Sequence, residues 1–122
     1  MDDSSTPWLL VALPFVVLNV LYAVLAACAW TGRLRKNRLL GIRTPSTLSS
    51  AETWTRAHRV AAPWWAAGAA LGIACAVTAA VAGWTLDATT PTQILLGLSF
   101  LCPFVMLIAG SIAGTRVARS LR

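Results

Sequence analysis

The chain has 122 residues, 57% of them hydrophobic and only 11% charged, and its mean hydropathy of +0.70 excludes an ordinary soluble domain. Three hydrophobic spans and one polar connection use nearly all of that length, so a single membrane domain over residues 1–122 is expected, with no room for a separate soluble one. Ten basic against four acidic residues give a net charge of +6, but the cations are segregated into one connection and the C-terminal tail. The charge therefore reads as topology plus attraction to anionic membrane lipids, and not as direct nucleic-acid binding.

The first span is predicted at residues 8–30, bracketed by Trp8 and Trp30 as interfacial anchors. At about 1.5 Å per residue it crosses the roughly 30 Å hydrocarbon core. Leu25-Ala26-Ala27-Cys28 has the form of a lipoprotein cleavage box, but a signal-peptide reading fails. The start is acidic, the apolar run is too long, and arginines follow it. Pro14 should bend this helix. Asn19 lies near its midpoint and is expected to bond across the bundle, because an amide in hydrocarbon needs a partner; Tyr22 could share its face.

The connection at 31–60 holds Arg33, Arg35, Lys36, Arg38, Arg43, Arg56 and Arg59. From Thr31 to Leu40 only Gly32 opposes helix, so the first helix can continue beyond the membrane and stop at Leu40-Gly41. Thr44-Pro45 predicts an extended step inside a short ordered loop at the inner membrane face. Ser49 to Glu52 reads as a capping box that starts a helix at Ser50. Along that helix Trp54, His58 and Ala61 or Ala62 share a face, and Glu52 pairs with Arg56 at i,i+4. Pro63 should kink it at the bilayer, with Trp64 and Trp65 marking the interface.

The second span is predicted at 61–84, with Gly68, Gly72, Ala76 and Ala80 forming a row of small residues that lets another helix approach closely. A short connection at 85–92, holding Asp87 and Pro91, turns the chain into an antiparallel third span at 93–115. That span contains Pro103, and Gly110 and Gly114 near its inner end. Both glycine pairs are expected to pack within the chain, though either could seam a homo-oligomer. Cys28, Cys75 and Cys102 fall inside spans as small hydrophobes rather than a disulfide framework. Without zinc-type spacing or an intramembrane carboxylate, no metal and no cofactor are expected. The fold class is thus an all-α membrane protein of three transmembrane helices, with an ordered polar loop between helices 1 and 2. The positive-inside rule puts the basic connection and the C-terminus in the cytoplasm and the N-terminus, with Asp2 and Asp3, outside.

A proton-coupled exporter needs a titrating carboxylate within a span, and Asp2, Asp3, Glu52 and Asp87 all lie outside the spans. A Ser-His-Asp arrangement fails as well, since the aspartates lie across the membrane from His58. What remains is a group of donors, Asn37, Arg43, Thr44, Thr47, His58 and Arg59, near one face and framed by Trp54 and Trp65. Arginine forks, hydroxyls and an imidazole suit a phosphate or carboxylate headgroup. The alternative is that Arg43 and Arg59 snorkel to lipid phosphates while His58 bonds a loop carbonyl.

Asn37, Gly41-Ile42-Arg43-Thr44-Pro45, Thr47-Leu48, Ser50, Trp54 and His58-Arg59 together resemble the SdpI family of small bacterial membrane proteins, over roughly Trp30 to Gly68. The resemblance implies a three-span module in the bacterial cytoplasmic membrane with its motif loop at the inner face. The family's namesake is an immunity protein against a secreted antimicrobial peptide and also a receptor that holds a transcriptional repressor at the membrane; it carries further membrane segments ahead of the matching region. A non-enzymatic role in toxin resistance or sensing is therefore expected, with a peptide toxin or a repressor as candidate partners. The alternative is a small membrane enzyme acting on a phosphate-bearing amphiphile, in which Arg43 and Arg59 clamp the headgroup and His58 serves as general acid or base.

Overall fold

The computed structural model describes residues 7–86 and 89–122. Asp2, Asp3 and Asp87, which contribute to the charge-based orientation, lie outside those residues. Three helices follow one another: α1 (Trp8–Trp30), α2 (Ala51–Leu86) and α3 (Thr89–Ser120). Each is long and apolar enough to cross a membrane. At 36 residues α2 is about 54 Å long, well beyond the hydrocarbon thickness. Its first stretch, from Ala51 to Val60, is the polar one and carries Glu52, Arg56 and Arg59.

The middle helix is also the central one. Both α1 and α3 pack along α2 and barely touch each other. Small side chains make this possible, because without a hydrophobic driving force in lipid the helices are held by close packing and hydrogen bonds. A Cβ on Gly114 would fall 2.5 Å from the Ala57 carbonyl oxygen, and one on Gly72 only 2.0 Å from Asn19 Oδ1. The glycine rows of α2 and α3 therefore face neighbouring helices of the same chain.

Two apolar clusters flank a polar middle layer. Trp8, Ala12, Ala79, Ala80 and Leu96 form one; Ala26, Ala29, Ile42, Ala61, Ala62 and Trp65 form the other. Between them Asn19, fully buried, donates from Nδ2 to the Phe15 carbonyl at 2.8 Å and to the Ser99 carbonyl at 3.1 Å. Ser99 Oγ in turn donates to the Gly72 carbonyl at 2.8 Å, so one amide joins all three helices. Tyr22, half-buried, does not share in it.

Three boundaries differ from the sequence expectation. The first helix ends at Trp30 and does not continue to Leu40, since Gly32 adopts φ +75° and turns the chain away. Leu34 N–H then returns to the Cys28 carbonyl at 3.0 Å, occupying an acceptor that a longer helix would have used. The cap of α2 is Ser50, not Ser49: its Oγ accepts the Thr53 N–H at 3.0 Å, while Ser49 Oγ donates to the Ser46 carbonyl. Pro91, expected in the connection, lies in the first turn of α3, where a missing N–H has no cost.

Candidate functional site

The connection at 31–50 is fastened to α2 by side chains of that helix, His58 among them. His58 projects from α2 one turn after Trp54, and its Nε2 accepts the Ile42 N–H at 2.8 Å. Its Nδ1 lies 2.7 Å from the Trp54 carbonyl oxygen. One ring nitrogen must accept and the other must donate, so these partners assign the proton to Nδ1 and make the ring neutral. The Trp54 ring lies tilted beside it at 4.1 Å between centroids, and Trp65 meets it edge-on at 5.8 Å. Only 1% of His58 is exposed, and burial pushes its pKa below the ordinary value, outweighing the opposing effect of the Trp54 carbonyl.

Gly41 is fixed by this contact. Its φ is +107°, and a Cβ there would stand 2.4 Å from His58 Nε2. Both the backbone conformation and the space call for glycine. Directly after it Ile42 enters the second apolar cluster, with Ala29, Ala61 and Trp65. Thr44 and Thr47 then close a turn on each other: Thr44 N–H donates to Thr47 Oγ1 at 3.0 Å, and Thr47 N–H to Thr44 Oγ1 at 3.3 Å. Thr47 Oγ1, fully buried, donates back to the Ile42 carbonyl at 2.7 Å. Trp54 Nε1 holds the start of the connection through the Leu34 carbonyl at 2.8 Å. Lys36 Nζ spans its two limbs by donating to the Leu48 carbonyl.

The seven expected site residues thus form two groups, with Asn37 outside both. Thr47, Trp54 and His58 are buried and spend their polar atoms on the backbone of the loop or of their own helix; Thr44 belongs with them. Arg43 and Arg59 are exposed. Each anchors its guanidinium by one N–H, Arg43 Nη1 to the Arg38 carbonyl and Arg59 Nε to the Trp30 carbonyl at 3.2 Å. Among the described residues the remaining donors of each fork have no other partner. Asn37 stands apart from both groups: its Oδ1 accepts the N–H groups of Leu39 and Leu40 at 2.8 and 2.7 Å, and its Nδ2 donates to the Arg35 carbonyl.

His58 lies against the loop as one of the two sequence readings expected, but the loop group it engages is an amide, and the carbonyl belongs to its own helix. With both nitrogens engaged by backbone, neither is open to take or give a substrate proton in this conformation. Sequence reasoning missed the parts that the backbone supplies: the Ile42 amide and the Leu34 carbonyl. Nothing in a residue's identity marks its main-chain atoms as partners for a ring many positions away. The available signal was Gly41, read from the sequence as a helix stop: it follows no helix here, and a glycine between bulky neighbours in an ordered loop invites the question of what lies against it.

Long apolar helices and a latched polar loop between the first two define a multi-pass membrane protein. Residues 33–112 match the sequence model of the SdpI/YfhL protein family, and the chain belongs to that family. The match begins just after α1 and extends through α2 well into α3. No curated protein and no solved structure matches the chain.

Proposed function

We propose that this protein acts in resistance to, or sensing of, a membrane-active toxin, with the motif loop at the inner face of the bacterial cytoplasmic membrane and the N-terminus outside. The loop's role is to present fixed cations to an anionic group, either a lipid headgroup or an acidic segment of a toxin or regulatory partner. The observation that supports this reading most is the tethering of Arg43 and Arg59. Each guanidinium is oriented by a backbone carbonyl and still has N–H groups to offer. A fork held in place loses less freedom on binding than a free one. The buried residues of the motif serve that presentation by fixing the loop, so His58 is a positioning residue rather than an acid–base group.

A toxin-challenge assay on cells carrying the parent protein, Arg43→Ala and Arg59→Ala tests it. A charge-assisted hydrogen bond contributes about 1.5–3 kcal/mol, so each alanine should weaken the contact about ten- to a hundredfold. Protection should fall accordingly while membrane levels of the protein stay unchanged. Protection equal to the parent in both variants would overturn the proposal. The orientation is checked in the same cells by a cysteine at Glu52, an exposed position, with Cys28, Cys75 and Cys102 replaced by alanine. An impermeant maleimide should label it only after permeabilisation.

A further inference from the structure

We propose that the tip of the motif loop is itself a membrane anchor: Leu39 and Leu40 insert into the bilayer leaflet on the loop's side, between cations that contact anionic lipid. This does not depend on the toxin reading. It requires only that the three helices span.

Leu39 is 89% exposed and Leu40 57%, and they are the two exposed large apolar side chains of the connection at 31–50 among the described residues. Leucines on a helix face in lipid need no explanation, but two adjacent ones at the tip of a polar loop do. The tip is also built rather than slack. Asn37 Oδ1 takes both leucine amides, Asn37 Nδ2 ties back to the Arg35 carbonyl, and Arg43 closes the far side on the Arg38 carbonyl. This network has no use if the leucines are to be hidden, because it orders the segment that exposes them.

The height of the tip in the fold names the occupant. Gly41 lies against the His58 ring, and Ile42 packs among Ala29, Ala61 and Trp65. His58 and Ala61 are three residues apart on α2, about 5 Å along the helix axis. The tip therefore emerges within one turn of the point where α2 enters its hydrophobic span. At that level the fold itself places a lipid surface beside the loop. Charge agrees: Arg35, Lys36, Arg38 and Arg43 flank the leucine pair in the sequence, and cations near a membrane surface are attracted to acidic headgroups. An apolar pair flanked by basic residues is the pattern of interfacial insertion. Asn37 is then a positioning residue whose bonds aim the pair.

The test places a nitroxide at Leu39→Cys, Leu40→Cys or Glu52→Cys in the full chain lacking its native cysteines. The protein is reconstituted in vesicles of phosphatidylcholine with phosphatidylglycerol. Power saturation compares collisions with oxygen, which concentrates in lipid, against a water-soluble nickel chelate. Oxygen should dominate at 39 and 40 and nickel at 52. Adding Asn37→Ala should shift the label at 40 toward water, and vesicles of phosphatidylcholine alone should make both tip labels shallower. Water-like ratios at both tip positions would overturn the proposal. So would shielding from both reagents accompanied by nitroxide–nitroxide broadening that grows with protein density, because the tip would then meet a second copy.

Discussion

The imidazole of His58 fastens the middle of the loop to α2. Its Nε2 can accept the Ile42 N–H only while that nitrogen is unprotonated, and burial keeps its pKa below the ordinary 6.5. When the loop detaches, the ring gains water and takes up a proton more readily. The detached state therefore binds more protons, so the latch is complete above about pH 6.5 and weakens as pH falls toward the lower value of the latched state. Amide exchange at Ile42, corrected for its intrinsic rate, should lose protection between about pH 8 and about pH 5. In His58→Ala the protection should be low throughout, since the buried amide loses its acceptor at a cost of about 1–3 kcal/mol. Equal protection at both ends of the range in the parent would remove the latch. Of this arrangement the sequence disclosed the shared face of Trp54 and His58, because i,i+4 spacing is local. It did not disclose Ile42 as the partner, because that bond joins a main-chain atom to a side chain across a turn of unpredicted shape.

At the scale of elements, the spans were legible from hydrophobic length and their ends were less so. Trp8 and Trp30 bounded α1 correctly, yet Arg33 to Leu40 read as a helical continuation because most of those residues favour helix locally. What prevents it is local at Gly32, whose φ of +75° turns the chain, and at Asn37, which folds the backbone onto itself, and tertiary at Leu34, whose carbonyl Trp54 Nε1 removes from any helical pairing. The start of α2 shows the same limit on a finer scale. Ser49 and Ser50 both precede the helix, and Glu52 drew the capping assignment to Ser49, whereas in the fold Glu52 pairs with Arg56 at 3.9 Å on the solvent side. Ser50→Ala should lower stability by about 0.5–2 kcal/mol, the usual range for losing a cap. Ser49→Ala should cost less, as it removes a bond inside the loop and not one at the helix start. Thermal melts in detergent distinguish the two, and a larger loss at Ser49 would reverse the assignment.

For the molecule as a whole, the arrangement around α2 makes the loop and the last helix neighbours. Ile42 Cδ1 lies where a Cβ on Gly114 would stand, 2.7 Å away, and the Ala57 carbonyl oxygen is nearer still at 2.5 Å. Gly114→Ala must therefore push α3 off α2, since the Ala57 carbonyl is helix backbone, and it presses on the Ile42 side chain as well. Because Ile42 packs at the same contact, the expected outcome includes reduced exchange protection at Ile42 with the helical content unchanged. Unchanged protection would mean that α3 moves alone. Read in the other direction, a lesion near the C-terminus can mimic damage to the GIRTP segment, so a genetic screen for lost activity should return hits in both places. Sorting them by sequence position would split one defect into two.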